Sequence, residues 1–238
     1  SNGALVVQTL DTFTTDESGT IMLPEPLIYG NYTLHEIASP YGYWRSDTPL
    51  AFSVDDSGES LITLEFANEL IQKQIQVIKV DENDEQRPLA GAVFELRKDG
   101  ELIETITTNE EGEAMTQLLR VGDYTLTEIQ APVGFVLGDA TIDQIISDEE
   151  LLVYIHRITN RPTKVIIIKT DLDGNPLEGA QIEIWNEDEH VVFEGITNEN
   201  GEIEILELPV GKYSFVELAA PVGYVLNENA YEFEILEN

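Results

Sequence analysis

The feature that most constrains this chain is an internal period of about 90 residues, the mark of tandem copies of one folding unit. Three stretches share a pattern: YTLHEIASPYGYW around Glu36, YTLTEIQAPVGFVL around Glu128 and YSFVELAAPVGYVL around Glu217. The glutamates lie 92 and 89 residues apart, and SPYG or APVG begins three residues after each. Upstream, VIKVDENDEQRPLAGAVFEL (77 to 96) matches IIKTDLDGNPLEGAQIEI (167 to 184), which sets Lys79 and Lys169 in register 90 residues apart. ITTNEEGEA and GITNENGEI carry a shared strand, turn, strand signal, and FTTDESGTI supplies it in the first copy. A length of 238 residues fits one large domain or two to three small ones, and the repeat selects the latter.

Within each copy the apolar runs are short, β-branched or alternating, and are separated by Gly, Pro, Asn and Asp clusters. That pattern predicts an all-β fold, an antiparallel sandwich repeated in tandem. In the second copy QVIKV, AVFELR, LIETITT, DYTLTEI and LLVYIHRIT read as strands, and ISDEEL as a turn or a short helical piece. The links, around ELIQKQ and NRPTK, are brief, and Pro162 limits rotation at one of them, so consecutive units are expected to stack end to end with restricted bending.

Each copy also places a glutamate on what should be an apolar strand face. In the second copy two more polar residues sit among apolar neighbours: Lys79 in the first strand and Asn160 at the end of the last, YIHRITN. First and last strands of a sandwich commonly lie side by side, so Lys79 and Asn160 can meet inside with Glu128 facing both. An unpaired buried polar group costs roughly 1 to 3 kcal/mol and a charge more, so the three need one another.

Lysine followed by x-Asp in the first strand, YTLTE followed by APVGF, and a last strand ending in Asn together resemble the collagen-adhesin B-type domain, also called SpaA-like or prealbumin-like. The resemblance covers the second copy and most of the other two. It implies a tandem Ig-like or prealbumin-like sandwich from the stalks and pilins of Gram-positive bacteria. It further implies that Lys79 is a nucleophile joined autocatalytically to the electrophile Asn160, with Glu128 assisting. The chemistry of the residues is compatible with this. Burial favours a neutral amine and a protonated carboxyl, the amine can attack the carboxamide carbon while Glu128 moves protons, and ammonia leaves. The alternative is a hydrogen-bonded Lys-Glu-Asn cluster without covalent joining. A bond between Lys79 and Asn160 would close a loop of about 80 residues and, by analogy with disulfides, stabilise by roughly 4 to 5 kcal/mol. The chain has no cysteine with which to do the same.

The spacings separate the copies. Glu36 to Asn68 is 32 residues, as is Glu128 to Asn160, which makes Asn68 the first copy's acceptor. The same step from Glu217 reaches position 249, so Asn238 is not the third acceptor and the third copy is expected to lack its last strand. The 49 residues from Lys79 to Glu128, subtracted from Glu36, fall before residue 1, so the first copy is expected to lack its first strand or strands and its donor. The expected organisation is an incomplete domain over 1–72, a complete one over 73–162 and an incomplete one over 163–238. Glu36 with Asn68 and Glu217 with Lys169 are the corresponding incomplete sites, which a strand from another molecule could complete.

The remaining signals are weaker. DLDGNPLEG, from Asp171 to Gly179, is acidic like a calcium loop, but its glycine falls fourth instead of sixth and the twelfth position is no glutamate, so it reads as a hairpin turn. DENDEQ reads likewise. His35, His156 and His190 lack metal-ligand spacing, and neither a metal nor a cofactor is expected. With 46 acidic residues against 12 basic, contact with nucleic acid or an anionic membrane is disfavoured. The expected function is a structural stalk or shaft segment of a cell-wall-anchored adhesin or pilin, extracellular on a Gram-positive surface, not an enzyme, partnered by neighbouring domains of the same protein. The alternative is an adhesin module in which Trp44, Trp185, Tyr41 and Tyr43 engage host matrix protein or glycan.

Overall fold

The computed structural model describes residues 8–56 and 61–236. Asn238, set aside above as an acceptor, lies outside the described residues. Two compact units divide the chain, Ser1–Glu69 and Leu70–Asn238.

In the first unit, β1 (Gly30–Leu34) and β2 (Leu50–Val54) form an antiparallel pair, with Tyr32 stacked on Phe52 across it. The turn anticipated in FTTDESGTI forms: Asp16 N donates to Thr20 O and Gly19 N to Asp16 O. Its flanking residues are not strands, nor are residues 61–69. A strand is stable only against a ladder partner; among the described residues of this unit the one strand pair is β1 with β2, whereas in the second copy the VIKV and VFEL strands pair with the matching segments.

The second unit holds the other two copies. The second copy contains β3 (Gln72–Asp81), β4 (Val93–Lys98), β5 (Glu101–Thr107), β6 (Glu113–Met115), β7 (Leu119–Arg120), β8 (Gly122–Gln130), β9 (Thr141–Ile146) and β10 (Val153–Asn160). One sheet has the order β10-β3-β6, with β7 also on β3, and the other β5-β4-β8-β9. All five sequence-read strands are present. The ISDEEL segment is a bend, and β6, β7 and β9 are additional. Against the antiparallel expectation, β3 and β10 pair in parallel, with Ile158 opposite Lys79 and Asn160 opposite Asp81. First and last strands running the same way on one edge is how the copy can hand the chain onward from the end opposite its entry.

Alternation fills the interior. Ile75, Val77, Phe94, Leu96, Tyr124, Leu126, Ile146 and Ile158 form a continuous buried cluster between the sheets. The third copy repeats the plan with β11 (Lys164–Ile168), β12 (Gln181–Asn186), β13 (Val191–Ile196), β14 (Glu202–Leu206), β15 (Gly211–Ala219) and β16 (Tyr231–Ile235). Its sheets are β11-β14 and β13-β12-β15-β16, around Ile167, Ile182, Ile184, Ile203, Ile205 and Tyr213. A tyrosine four residues after its acceptor recurs in each copy: Tyr32, Tyr124 and Tyr213 hydroxyls donate to the carbonyls of Ile28, Arg120 and Pro209 at 2.7, 3.0 and 2.8 Å. This fixes the entry into the glutamate-bearing strand identically each time. No helix among the described residues is long and apolar enough to cross a membrane.

Candidate functional site

The side-chain alternation of β3 sends Lys73, Ile75, Val77 and Lys79 to the core, and that of β10 sends Ile158 and Asn160 there. From the facing sheet β8 contributes Tyr124, Leu126 and Glu128 by the same rule. Lys79, Glu128 and Asn160 therefore meet in the interior although 49 and 32 residues separate them in sequence. Neither the Lys79 nor the Glu128 side chain has any exposure, and Asn160 is 3% exposed.

Lys79 Nζ lies 3.2 Å from Glu128 Oε2 and 3.2 Å from the carbonyl oxygen of Thr159, the residue before Asn160. The Phe94 ring, its centroid 5.8 Å from Nζ, supplies an apolar wall. Asn160 Nδ2 donates to the Val136 carbonyl at 2.7 Å, so the carboxamide orientation is set by the loop that follows APVG. Two buried oxygens, Glu128 Oε1 and Asn160 Oδ1, have no hydrogen-bond partner. Both are acceptors when Glu128 is ionised; a proton on the carboxyl turns it into a donor.

Electrostatics favour that proton. Burial is the largest influence on both titrating groups, pushing the Glu128 pKa up and the Lys79 pKa down, against the opposing pull of each on the other. Asn160 also acts on Glu128 by hydrogen bonding. The pocket thus shifts a lysine toward the free amine and a glutamate toward the acid, beside a carboxamide.

The other copies hold parts of the same arrangement. In the third, Lys169 Nζ lies 3.0 Å from Glu217 Oε1, while Glu217 Oε2 accepts from Asn227 N at 2.8 Å. In the first, Asn68 Nδ2 donates to Glu36 Oε2 at 2.7 Å and to the Trp44 carbonyl at 2.9 Å, and Ser46 N donates to the same carboxylate oxygen at 2.6 Å. Trp44 precedes Asn68 by the 24 residues that separate Val136 from Asn160, so the carbonyl that orients the carboxamide is itself part of the repeat.

Sequence reading missed that carbonyl, and it missed the glycine of NEEG and NENG. Gly112 and Gly201 have φ of +72°, and a Cβ on either would stand 2.4 Å from the backbone oxygen of Lys79 or Lys169. Their carbonyls accept from Lys79 N and Lys169 N at 2.7 and 2.8 Å. Each glycine thus lets its turn close onto the lysine's own backbone; its recurrence in both copies was the available signal. Asp171 takes the turn role: Asp173 N and Asn175 N donate to its carboxylate at 2.9 and 2.8 Å. Among the described residues no group of three or more His, Asp or Glu gathers as a metal ion would require.

The family model for the SpaA prealbumin-like fold domain matches three segments, residues 1–69, 73–160 and 163–238. The chain belongs to this family. Its modules are similar to the Bacillus anthracis TIE protein at 34% identity with a TM-score of 0.64, over 89% of this chain and 40% of that one. This SpaA-type chain therefore spans less than half of that structure. A streptococcal ancillary pilin (20% identity, TM-score 0.36, 89% of this chain and 73% of that one) and the shaft pilin spaA of Lactobacillus rhamnosus GG (14%, 0.33, 69% and 93%) also match. The family assignment rests on the three module matches and not on these two. No curated protein matches the chain.

Proposed function

We propose that this SpaA-type chain is a structural stalk or shaft segment of a Gram-positive cell-wall-anchored adhesin or pilin, and that its second module is closed by an autocatalytic bond between Lys79 and Asn160. The observation that carries the reading is the meeting of Lys79, Glu128 and Asn160, from two facing sheets, in a pocket closed to solvent. A binding site needs access; a site that acts once on its own chain does not.

The reaction balances within the three side chains. The neutral Lys79 Nζ attacks Asn160 Cγ, forming the new C–N bond, while the protonated Glu128 donates to Asn160 Oδ1 as negative charge develops there. Glu128 then takes a proton from the attacking nitrogen and delivers it to Nδ2. The Cγ–Nδ2 bond breaks and ammonia leaves, and as the carbonyl re-forms the proton lent to Oδ1 returns to Glu128, so the carboxyl ends as it began. Permanent juxtaposition supplies the advantage of an intramolecular reaction. No external substrate is turned over.

The location of the bond explains its use. Joined, β3 and β10 connect the module's entry to its exit covalently, and tension along the chain bypasses the sheets. The proposal places the chain outside the cell, with neighbouring domains of the same surface protein as its partners. Proteolysis of the denatured protein followed by peptide sequencing tests the assignment. A branched peptide joining Lys79 to Asn160 is expected, and linear peptides alone from both strands would reject it.

A further inference from the structure

Tandem modules on a three-residue link ordinarily move relative to one another. Here the link between the second and third modules, Arg161, Pro162 and Thr163, is hydrogen-bonded along its length. Val136 N donates to Arg161 O at 3.0 Å, Phe135 and Pro162 form an antiparallel bridge, and Thr163 N donates to Gly134 O at 2.9 Å. On the other side Glu207 N donates to Thr163 O at 3.0 Å. The buried Thr163 hydroxyl lies 2.6 Å from Leu208 O, with Gly134 O in reach at 3.1 Å. The link is thus a short segment clamped between the PVGF loop of one module and the ELP loop of the next.

Those two loops also touch. Gly134 has φ +83°, and a Cβ there would stand 2.6 Å from the Glu207 carbonyl oxygen. Over this contact lies Arg87, from the loop after β3. Its guanidinium engages both carboxylate oxygens of Glu207, with Nη2 to Oε2 at 2.7 Å and Nη1 to Oε1, and Nη1 is also 3.3 Å from Asp81 Oδ2. The same group sits 5.6 Å from the centroid of Phe135, which is itself buried. A bidentate pair fixes orientation as well as distance.

We infer that the second and third modules form one rigid body, latched by Arg87 on Glu207 above the Thr163 clip. The latching arginine itself is not repeated in the third module. The bridges Val80 to Pro88 and Thr170 to Pro176 put Asn175 at the position of Arg87 in the third module, where its amide is spent on Asp171. The latch is also independent of the Lys79 bond, so its test stands whether or not that bond forms.

The absence of cysteine lets a pair be introduced without background. Spin labels at Glu110→Cys and Asp188→Cys, both on exposed turns, report the inter-module distance distribution in the full chain, with Lys79→Ala as a parallel background. A single narrow distribution is expected. Arg87→Ala is expected to broaden it, and the exchange Arg87→Glu with Glu207→Arg to narrow it again relative to either single change. A broad distribution in the unaltered chain, or one that Arg87→Ala leaves unchanged, would overturn the inference.

Discussion

Replacing Asn160 by alanine removes the acceptor while leaving the Lys79 to Glu128 pair in place, so it isolates the proposed bond with little else. Lys79 and Asn160 enclose about 80 residues, and the chain-entropy treatment of a cross-link gives close to 4.5 kcal/mol at 25 °C for a loop of that length. The substitution also deletes the Asn160 Nδ2 donation to Val136 O, worth about 1 kcal/mol in net terms. The expected loss is therefore about 5 to 6 kcal/mol, comparable to the whole stability of an ordinary small domain. At about 4 to 8 °C per kcal/mol for a module of this size, the transition should fall by 20 °C or more. Calorimetry at neutral pH reads it directly, and Glu128→Gln is the companion variant. The latter retains Asn160 and its bond to Val136 but cannot carry the proton, so most of the same loss is expected. A shift for Asn160→Ala of only about 1 kcal/mol, the value of one hydrogen bond, would refute the reasoning and leave a non-covalent cluster.

Other expectations follow from the same geometry. In Lys79→Ala, Glu128 stays buried without its cation; because burial holds its folded-state pKa above the unfolded value, stability should be fullest below the ordinary carboxylate range and fall as pH rises toward the raised value. Urea titrations across mildly acidic pH check this, and a stability that rises over that interval would contradict the buried, proton-holding carboxyl. Gly112→Ala forces a side chain to φ +72° and against Lys79 O, so it should destabilise the second module by about 1 to 3 kcal/mol and slow ammonia release from freshly refolded protein. Glu207, whose pKa Arg87 holds down by hydrogen bonding, should support the latch above the ordinary carboxylate range and lose it as pH falls through its depressed pKa. Distance distributions recorded down an acid series would show the broadening, and an unchanged width in strong acid would argue against the ion pair.

Much of this was readable in the sequence, for identifiable reasons. The period of about 90 residues announced the repeat, and alternation put Lys79, Glu128 and Asn160 on inward faces because a strand has only two. Their convergence across the core was legible from the adjacency of first and last strands in a sandwich, from the 32-residue step shared by Glu36–Asn68 and Glu128–Asn160, and from the family resemblance. What escaped was carried by backbone atoms. The Val136 carbonyl that orients Asn160 leaves no trace in side-chain chemistry, and Gly112 looks like any turn glycine until the Lys79 carbonyl is seen against it. The parallel pairing of β3 and β10 was hidden for a related reason: alternation says which residues share a face but not which way neighbouring strands run. The junction escaped in part. Pro162 promised restricted bending, but the pairing of Arg87 with Glu207 joins residues 120 apart with no repeated spacing to betray it.

One number decides the central issue. The intact mass of the folded and then denatured chain should fall below the mass calculated from its sequence by a single ammonia, with the deficit abolished in Lys79→Ala and in Asn160→Ala. A mass equal to the calculated one in protein shown to be folded would mean that Lys79 and Asn160 remain separate side chains.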